Sequence, residues 1–580
     1  MAAPAQQPRL LRIPPEILEN IAYELGRGGD DDAHDHPPAC PPAQLLPLLS
    51  TCRHIYNALS YTRNNTLYMR LFTDLFDADA PRRRLGPEVL HAANLASQLR
   101  TNCLTLKRIR QGDIHAPTVL ADFWTLLFMA LEDDGKNRVH FARAGVGAFV
   151  DRFVRTRLRE GLQSGWPVES TINTLALWLL WLTLNRDMLA AQSSDRRQEL
   201  VDSVLPYTVV AFKYPSFLAP DNHYHFPLAD SFQLSAQTTL QNAHGAYPLY
   251  RPPTPHTHTH YQQSITFCPP PLSAAAKLVY FAVREAVPLV VPDHLPTERV
   301  PGYGGQTQTD IREVNAHRGA LPRPVPRSSA RFDAEWARMR RCVDPWAPSA
   351  LAPRGDVYRP GCMSGLWQGK LLIPELNGYL ALLTTLECPQ GFSEMNPWMS
   401  IWPMFMRLRE HASPSSANQR AAAVGGPSDD IRDEGIRNAW FPTVTVHHER
   451  DGVVIVDDAG NRTEHKTVRP PNPADYEADF AYAGLAASDS DGLQDIVFTG
   501  ETDTDHGLAW GRYTFLGRVR AWDGLIALVR IPADPQVRAA RWVFRGYLHG
   551  GTVFAGSWRA MTMNVGEVPW EGAFVVSRRA

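Results

Sequence analysis

Lysine is what this chain has least of among its charged residues. Lys107, Lys136, Lys213, Lys277, Lys370 and Lys466 are its only lysines among 58 basic residues, and the rest are arginine. Sixty acidic residues bring the formal net charge to −2, and no basic stripe interleaved with aromatics appears, so nucleic acid is not expected as a partner. The seven cysteines (Cys40, Cys52, Cys103, Cys268, Cys342, Cys362 and Cys388) are odd in number and form no CxxC pair. They argue against a disulfide framework and for free, mostly buried thiols in a reducing compartment, cytoplasmic or nuclear. Long apolar runs are missing as well. The greasiest stretch, Leu175 to Leu184 (LALWLLWLTL), falls far short of the roughly 20 residues that span a bilayer, so a buried helix and no membrane are expected. Nor does the region of Pro4, Pro8 and Arg9 hold an apolar signal core.

Catalytic signatures are also lacking. There is no GxGxxG, GxxxxGK[ST], HExxH or GxSxG, and in GCMSG (Gly361 to Gly365) the serine comes one place too late for a nucleophile elbow. Acidic groups such as Glu132-Asp133-Asp134 and Asp429-Asp430 read as solvated turns. The tract His256 to Tyr261 (HTHTHY) would put its imidazoles on one side of an extended segment without the second pair of ligands that a closed metal site needs. It is expected to be a solvated loop, as are His34 and His36 beside Asp30 to Asp32. No catalytic residue, metal or cofactor is expected.

What the chain does have is 44% hydrophobic residues spread over 580 positions, enough for several cores. Pro14 and Pro15 suit a helix start, Glu16 complements its dipole, and Ile17, Leu18, Ile21 and Leu25 recur at helical spacing. A second helix is expected over Leu45 to Leu59, with Leu45, Leu49, Cys52, Ile55, Tyr56 and Leu59 on one stripe. A third follows through Leu67, Leu71, Phe72, Leu75 and Phe76. Three short helices cannot hide so much apolar surface among themselves, so part of it is either packed on the chain's own next domain or offered to another protein. Helices are then expected over Val89 to Ile109, Val119 to Leu131, FARAGVGAFVDRFVRTRL, TINTLALWLLWLTLNRDML and Ser273 to Ala286, a series that an armadillo-like order would accommodate. From Arg331 a helix restarts the chain and strands take over. GLWQGKLLIP is the first, Asp523-Gly524 turns a hairpin between Val519–Trp522 and Leu525–Val529, and His549 to Thr552 turns another between RWVFRGYL and TVFAGSWRAM. Gly572 to Ser577 ends the series, and closure into a small antiparallel barrel would hide the edges.

The strings RIPPEILENIAYEL and LLPLLSTCRHIYNALS resemble an F-box of the type common in fungal proteins, and LYMRLFTDLFDADAPRRR resembles its continuation. The strand order, with GLWxG, GRYTFLGRVRAWDGLIALVR and the SWR element, is similar to the lipocalin-like barrel of certain F-box substrate receptors. The resemblance implies an α+β multidomain chain: a tail over 1–12, an F-box and following helix over 13–76 with a loop insertion at 26–44, a mainly helical region over 85–300, a linker over 301–330, and a barrel-like domain over 331–580 with insertions at 408–436 and 448–490. It further implies a substrate-recognition subunit of a Skp–cullin–F-box ubiquitin ligase. Ile13, Pro14, Pro15, Glu16, Ile17, Leu18, Ile21, Leu25, Leu45, Leu46, Leu48, Leu49, Cys52, Arg53 and Tyr56 would contact the Skp adaptor. An unknown protein substrate would meet the barrel, where Trp367, Tyr513, Arg520, Trp522, Trp558 and Arg559 combine aromatic anchors with planar cations. Alternatively these aromatics fill the barrel core. The competing functions are an interaction protein outside any ligase, a small-ligand-binding barrel, and a hydrolase with no recognisable motif. Scarce lysine is explained by GC-rich coding, or by a ligase subunit that keeps few acceptor amines.

Overall fold

The computed structural model describes residues 13–27, 42, 44–218, 240–247, 254–322, 329–343, 357–413, 444–457, 460, 462–469, 495–520, 523–534, 541–560 and 568–579. The stretch 1–12, nearly all of the 26–44 insertion and its histidines, Cys40 and Trp522 lie outside these. The first helices are α1 (Pro15–Arg27), α2 (Leu45–Leu49), α3 (Arg53–Leu59) and α4 (Asn65–Leu75). The second expected helix is therefore two. Ser50 Oγ and Thr51 Oγ1 donate to the carbonyls of Leu46 (2.8 Å) and Leu48 (2.7 Å), ending α2 with side-chain hydroxyls that compete with the backbone. Leu18 and Ala22 of α1 share a core with Leu45, Ile55, Leu59, Leu67 and Leu71. Gly26 lets α1 come close, because a Cβ there would stand 2.9 Å from a Leu71 methyl and 3.2 Å from one of Leu45.

The helical region continues with α5 (Asp79–Leu85), α6 (Ala92–Gln111), α7 (Val119–Leu131), α8 (Lys136–Ala144), α9 (Val146–Arg157), α10 (Thr171–Thr183), α11 (Arg186–Ala191), α12 (Ser194–Val209), α13 (Leu272–Glu285), α14 (Gln308–Ala316) and α15 (Asp333–Arg341). The apolar run falls in α10, where Leu175 to Trp181 are all buried, and no helix among the described residues is long and apolar enough to cross a membrane. Gly145, in the left-handed conformation, divides α8 from α9. The expected linker over 301–330 contains α14, capped by a reciprocal Thr307–Asp310 box.

Short hairpins precede α13: β1 (Leu240–Asn242) with β2 (Gly245–Tyr247), and β3 (His256–His260) with β4 (Gln263–Phe267). The histidine tract is thus a strand docked on helices and not a solvated loop. Alternation turns its three imidazoles inward: His256 Nε2 meets Thr171 Oγ1 at 2.9 Å, His258 lies on the Phe128 ring, and buried His260 meets Glu132 at 2.7 Å. Periodicity could not show this, because the burying surface comes from α7 and α10, far away in sequence.

The remaining strands are β5 (Gly365–Pro374), β6 (Met399–Ser413), β7 (Val444–His448), β8 (Gly452–Asp457), β9 (Arg462–Thr467), β10 (Asp495–Glu501), β11 (Tyr513–Arg520), β12 (Leu525–Pro532), β13 (Trp542–His549), β14 (Val553–Ala560) and β15 (Glu571–Arg578), with helices α16 (Leu376–Thr384) and α17 (Thr504–Trp510) between them. Eight of them, in the order β10–β11–β12–β13–β14–β15–β5–β6, close as an antiparallel barrel when β6 pairs with β10, Glu501 opposite Arg407 and Asp495 opposite Ser413. Both hairpins turn where expected, at Asp523-Gly524 and at Gly550-Gly551. Parts of the two insertions are ordered structure: β6 runs on to Ser413, and β8 and β9 extend the sheet from its far end, with His411 opposite Thr467.

Inward-facing Trp367, Leu371, Met404, Met406, Phe498, Phe515, Phe544, Trp558 and Phe574 fill the barrel. Gly546 and Gly556 face each other in register, and a Cβ on Gly556 would stand 1.9 Å from the Arg545 carbonyl, so the strands can coil this tightly only without side chains there. The outward faces of β14 and β15 are covered too. Val553, Ala555, Ala573 and Val575 belong to the same core as α10 and α13, so helical region and barrel share one interior. Being buried on both faces is why β13, β14 and β15 lack an apolar–polar alternation.

Candidate functional site

Two features stand out on this scaffold, and the first is the outer side of α1. Leu18, Ala22 and Gly26 point inward, while Ile17, Ile21 and Leu25, at i, i+4 and i+8, form a stripe left exposed, Ile17 by 52%. Pro14, Pro15 and Glu16 are exposed as well, as are Leu46 at 66%, Arg53 and Tyr56; Ile13, Leu48, Leu49 and Cys52 are half-buried. Leu18 and Leu45 hold the hairpin together and are not on its surface. Asn64 fixes the pairing: it caps α4 at the Leu67 amide (2.9 Å) and reaches Glu19 of α1 at 3.3 Å. Burying isoleucine side chains is worth about 2 kcal/mol each, so the stripe carries several kcal/mol of unrealised association energy.

The second is one end of the barrel. The other end is plugged by residues 357–364, with Tyr358, Cys362 and Met363 in the barrel core and the Glu410 carboxylate taking the amides of Gly361 (2.6 Å), Met363 and Ser364 (3.0 Å). Burial raises Glu410 to about 7, against the lowering effect of those amides. At the end opposite the plug, strand register brings together Ile373, Trp402, Tyr513, Arg530, Trp542, Trp558 and Trp570. Trp542 stacks on Trp558 at 4.1 Å, and Trp570 stands edge-on to Trp558 at 5.1 Å. Arg530 lies over the rings of Trp542 (4.0 Å) and Tyr513 (4.2 Å).

The six barrel residues expected to meet a substrate are dispersed. Trp367 and Trp558 are completely buried, with their indole N–H groups spent on the carbonyls of Met363 (2.8 Å) and Leu372 (3.0 Å). Trp367 lies toward the plugged end. Arg520 and Arg559 face outward but are covered by the helical region, and Arg520 makes two bonds to Asp523, at 2.9 and 2.7 Å. Tyr513 sits, half-buried, at the end opposite the plug, where Trp558 also lies, and Trp522 lies outside the described residues. An aromatic and planar-cation grouping is formed instead by residues outside that set, Arg530 with Trp542 and Trp570. The signal for Arg530 was present in LIALVRIP, where it is in phase with Ile526 and Leu528 and so on the inward face. Comparison of the chain with protein-family models, curated proteins and solved structures returned no match.

Proposed function

We propose that this chain is a non-catalytic substrate receptor of a Skp–cullin–F-box ubiquitin ligase, at work in the cytoplasm or nucleus. The observation that carries the reading is the exposed Ile17–Ile21–Leu25 stripe on a helix whose other side is packed. It supports the reading because, among the described residues, the apolar surface of the opening helices is not all covered by the chain's own packing. With Leu46 and Tyr56 exposed on α2 and α3, it offers the Skp adaptor an apolar surface on the hairpin that resembles an F-box. The α5–α13 region would act as a spacer, and the barrel would hold the target near the ubiquitin donor, raising its effective concentration. Lysine placement fits: only Lys107, Lys136 and Lys466 are exposed, which leaves few acceptor amines on the receptor itself.

The test is co-purification of the full chain and of Ile17→Asp/Ile21→Asp with the Skp adaptor and a cullin. Because both side chains are already exposed, the variant should keep its melting temperature while adaptor recovery falls by about tenfold or more. Adaptor bound equally by both proteins, or by neither, defeats the reading. Adaptor without cullin would favour an interaction protein outside any ligase.

A further inference from the structure

We propose that the end of the barrel opposite the plug is a binding site for an oxyanion, a carboxylate or a phosphate, carried on an apolar group, with the Arg530 guanidinium as the anion's partner. The site is carried by the barrel alone and stands whether or not the N-terminal hairpin docks an adaptor.

Arg530 is the anomaly among the buried arginines. Arg84 pairs with Asp333 at 2.7 Å, Arg518 with Asp495 at 2.6 Å, Arg520 with Asp523 at 2.7 Å and Arg545 with Glu571 at 3.1 Å, while Arg338 donates to the Asp523 carbonyl at 2.8 Å. Arg530, only 6% exposed, has no carboxylate and no hydrogen-bond acceptor among the described residues; rings are its only company. Its Nε is buried without a partner, and so is the indole Nε1 of Trp542 beside it. The neighbouring indoles differ, since Trp558 and Trp570 donate to the carbonyls of Leu372 and Pro374, both at 3.0 Å. Two adjacent donors are thus left over at a guanidinium with no carboxylate, whereas Arg84 and Arg545, each with one nitrogen unpartnered too, keep an acidic partner. A buried charge without a counter-charge is costly, and a planar guanidinium held between rings is set to receive a carboxylate or phosphate in its fork. Burial without a counter-charge brings Arg530 down to about 10, which leaves it charged at neutral pH.

The rim supplies the apolar half. Trp402 pairs with inward-facing Leu371 and is in phase with Met404 and Met406, yet it is 50% exposed, because β6 rises past the end of the barrel. Trp398, at the same phase four residues earlier, is exposed too. From Leu371 to Met406 the chain contains no lysine, arginine or histidine, so Arg530 supplies positive charge that this stretch of the rim lacks. A bare ion would leave those rings unused, whereas an aromatic or aliphatic acid, free or at the end of a peptide, would use both.

Isothermal titration of the full chain with phenylacetate, phenyl phosphate and the neutral phenylacetamide tests this. At least one anion is expected to bind about tenfold or more tightly than the amide, and the better of the two identifies the oxyanion. Arg530→Met should remove the preference while retaining the fold, since it deletes an uncompensated charge and keeps the stem. Arg530→Lys, which keeps the charge and loses the fork, should weaken the better anion severalfold and gives the same information if the Met variant does not fold. Equal binding of anion and amide, absence of binding by all three, or an undiminished preference in the variants overturns the proposal. None of these results bears on adaptor docking.

Discussion

Lys277 should make this protein less stable at neutral pH than a chain with methionine in its place. It lies in the middle of α13 with no exposure, and its ammonium donates to Ser216 Oγ at 2.8 Å and Ser557 Oγ at 3.0 Å, tying the helical region to β14. Burial lowers it from 10.5 to about 7, offset only in part by Glu571. The folded pKa is below the unfolded one, so between pH 7 and 10.5 the native state binds fewer protons than the unfolded chain. Stability from this group is therefore complete above 10.5 and lost as pH falls toward 7. At 1.36 kcal/mol per unit, the shift amounts to about 4–5 kcal/mol at pH 7, of which about 2 kcal/mol returns by pH 9. Lys277→Met keeps the volume, removes the charge and forfeits two hydrogen bonds worth about 1 kcal/mol each. Urea denaturation followed by circular dichroism at pH 7, 8 and 9 should show the variant more stable at pH 7 and the difference shrinking by about 2 kcal/mol by pH 9. A difference that does not change with pH would refute the reasoning, since only a proton taken up on unfolding can produce the slope.

Two further outcomes follow from other buried groups. His258 is held at about 4 by burial and, secondarily, by His260, so it takes up a proton on unfolding between pH 6.5 and 4 and stability is lost as pH falls through that window. His258→Phe should therefore gain about 2 kcal/mol on the wild type between pH 7 and 4.5, measured by the same denaturation; Glu285 and Glu410, both raised to about 7, oppose the acid effect equally in the two proteins and drop out. The Asp495 carboxylate accepts from Arg518 at 2.8 and 2.6 Å and meets His465 at 3.0 Å; burial raises its pKa, but these two partners more than reverse that and hold it well below the usual carboxylate range. Asp495→Asn, which leaves both facing a neutral amide, should cost about 3–5 kcal/mol, and a loss under 1 kcal/mol would show the pair to be solvated.

Local chemistry was legible wherever a single element decided the outcome. The hairpins at Asp523-Gly524 and His549 to Thr552, the strand GLWQGKLLIP and the helix Val119–Leu131 all follow from turn residues and periodicity within a dozen positions, and each stands where expected. What could not be read was which side of an element another would cover. The histidine tract looks solvated until α7 and α10 are placed against it, and Arg520 and Arg559 look like surface cations until the helical region closes over them. The same distinction separates the two candidate sites. The α1 stripe is a local pattern, visible as Ile17, Ile21 and Leu25 at helical spacing, and the structure adds only that nothing in the described chain covers it.

Arg530 is a conflict between local and global order: a charged residue on the inward phase of an otherwise apolar strand, against every rule for a barrel core. Buried charges persist where the fold gives them a counter-charge, as it does for the outward-facing Arg518 and Arg520, or where something outside the fold supplies one. Trp542 makes the second alternative the more economical. Arg530 has no carboxylate partner, and one bound oxyanion would satisfy its Nε and the Trp542 indole N–H together.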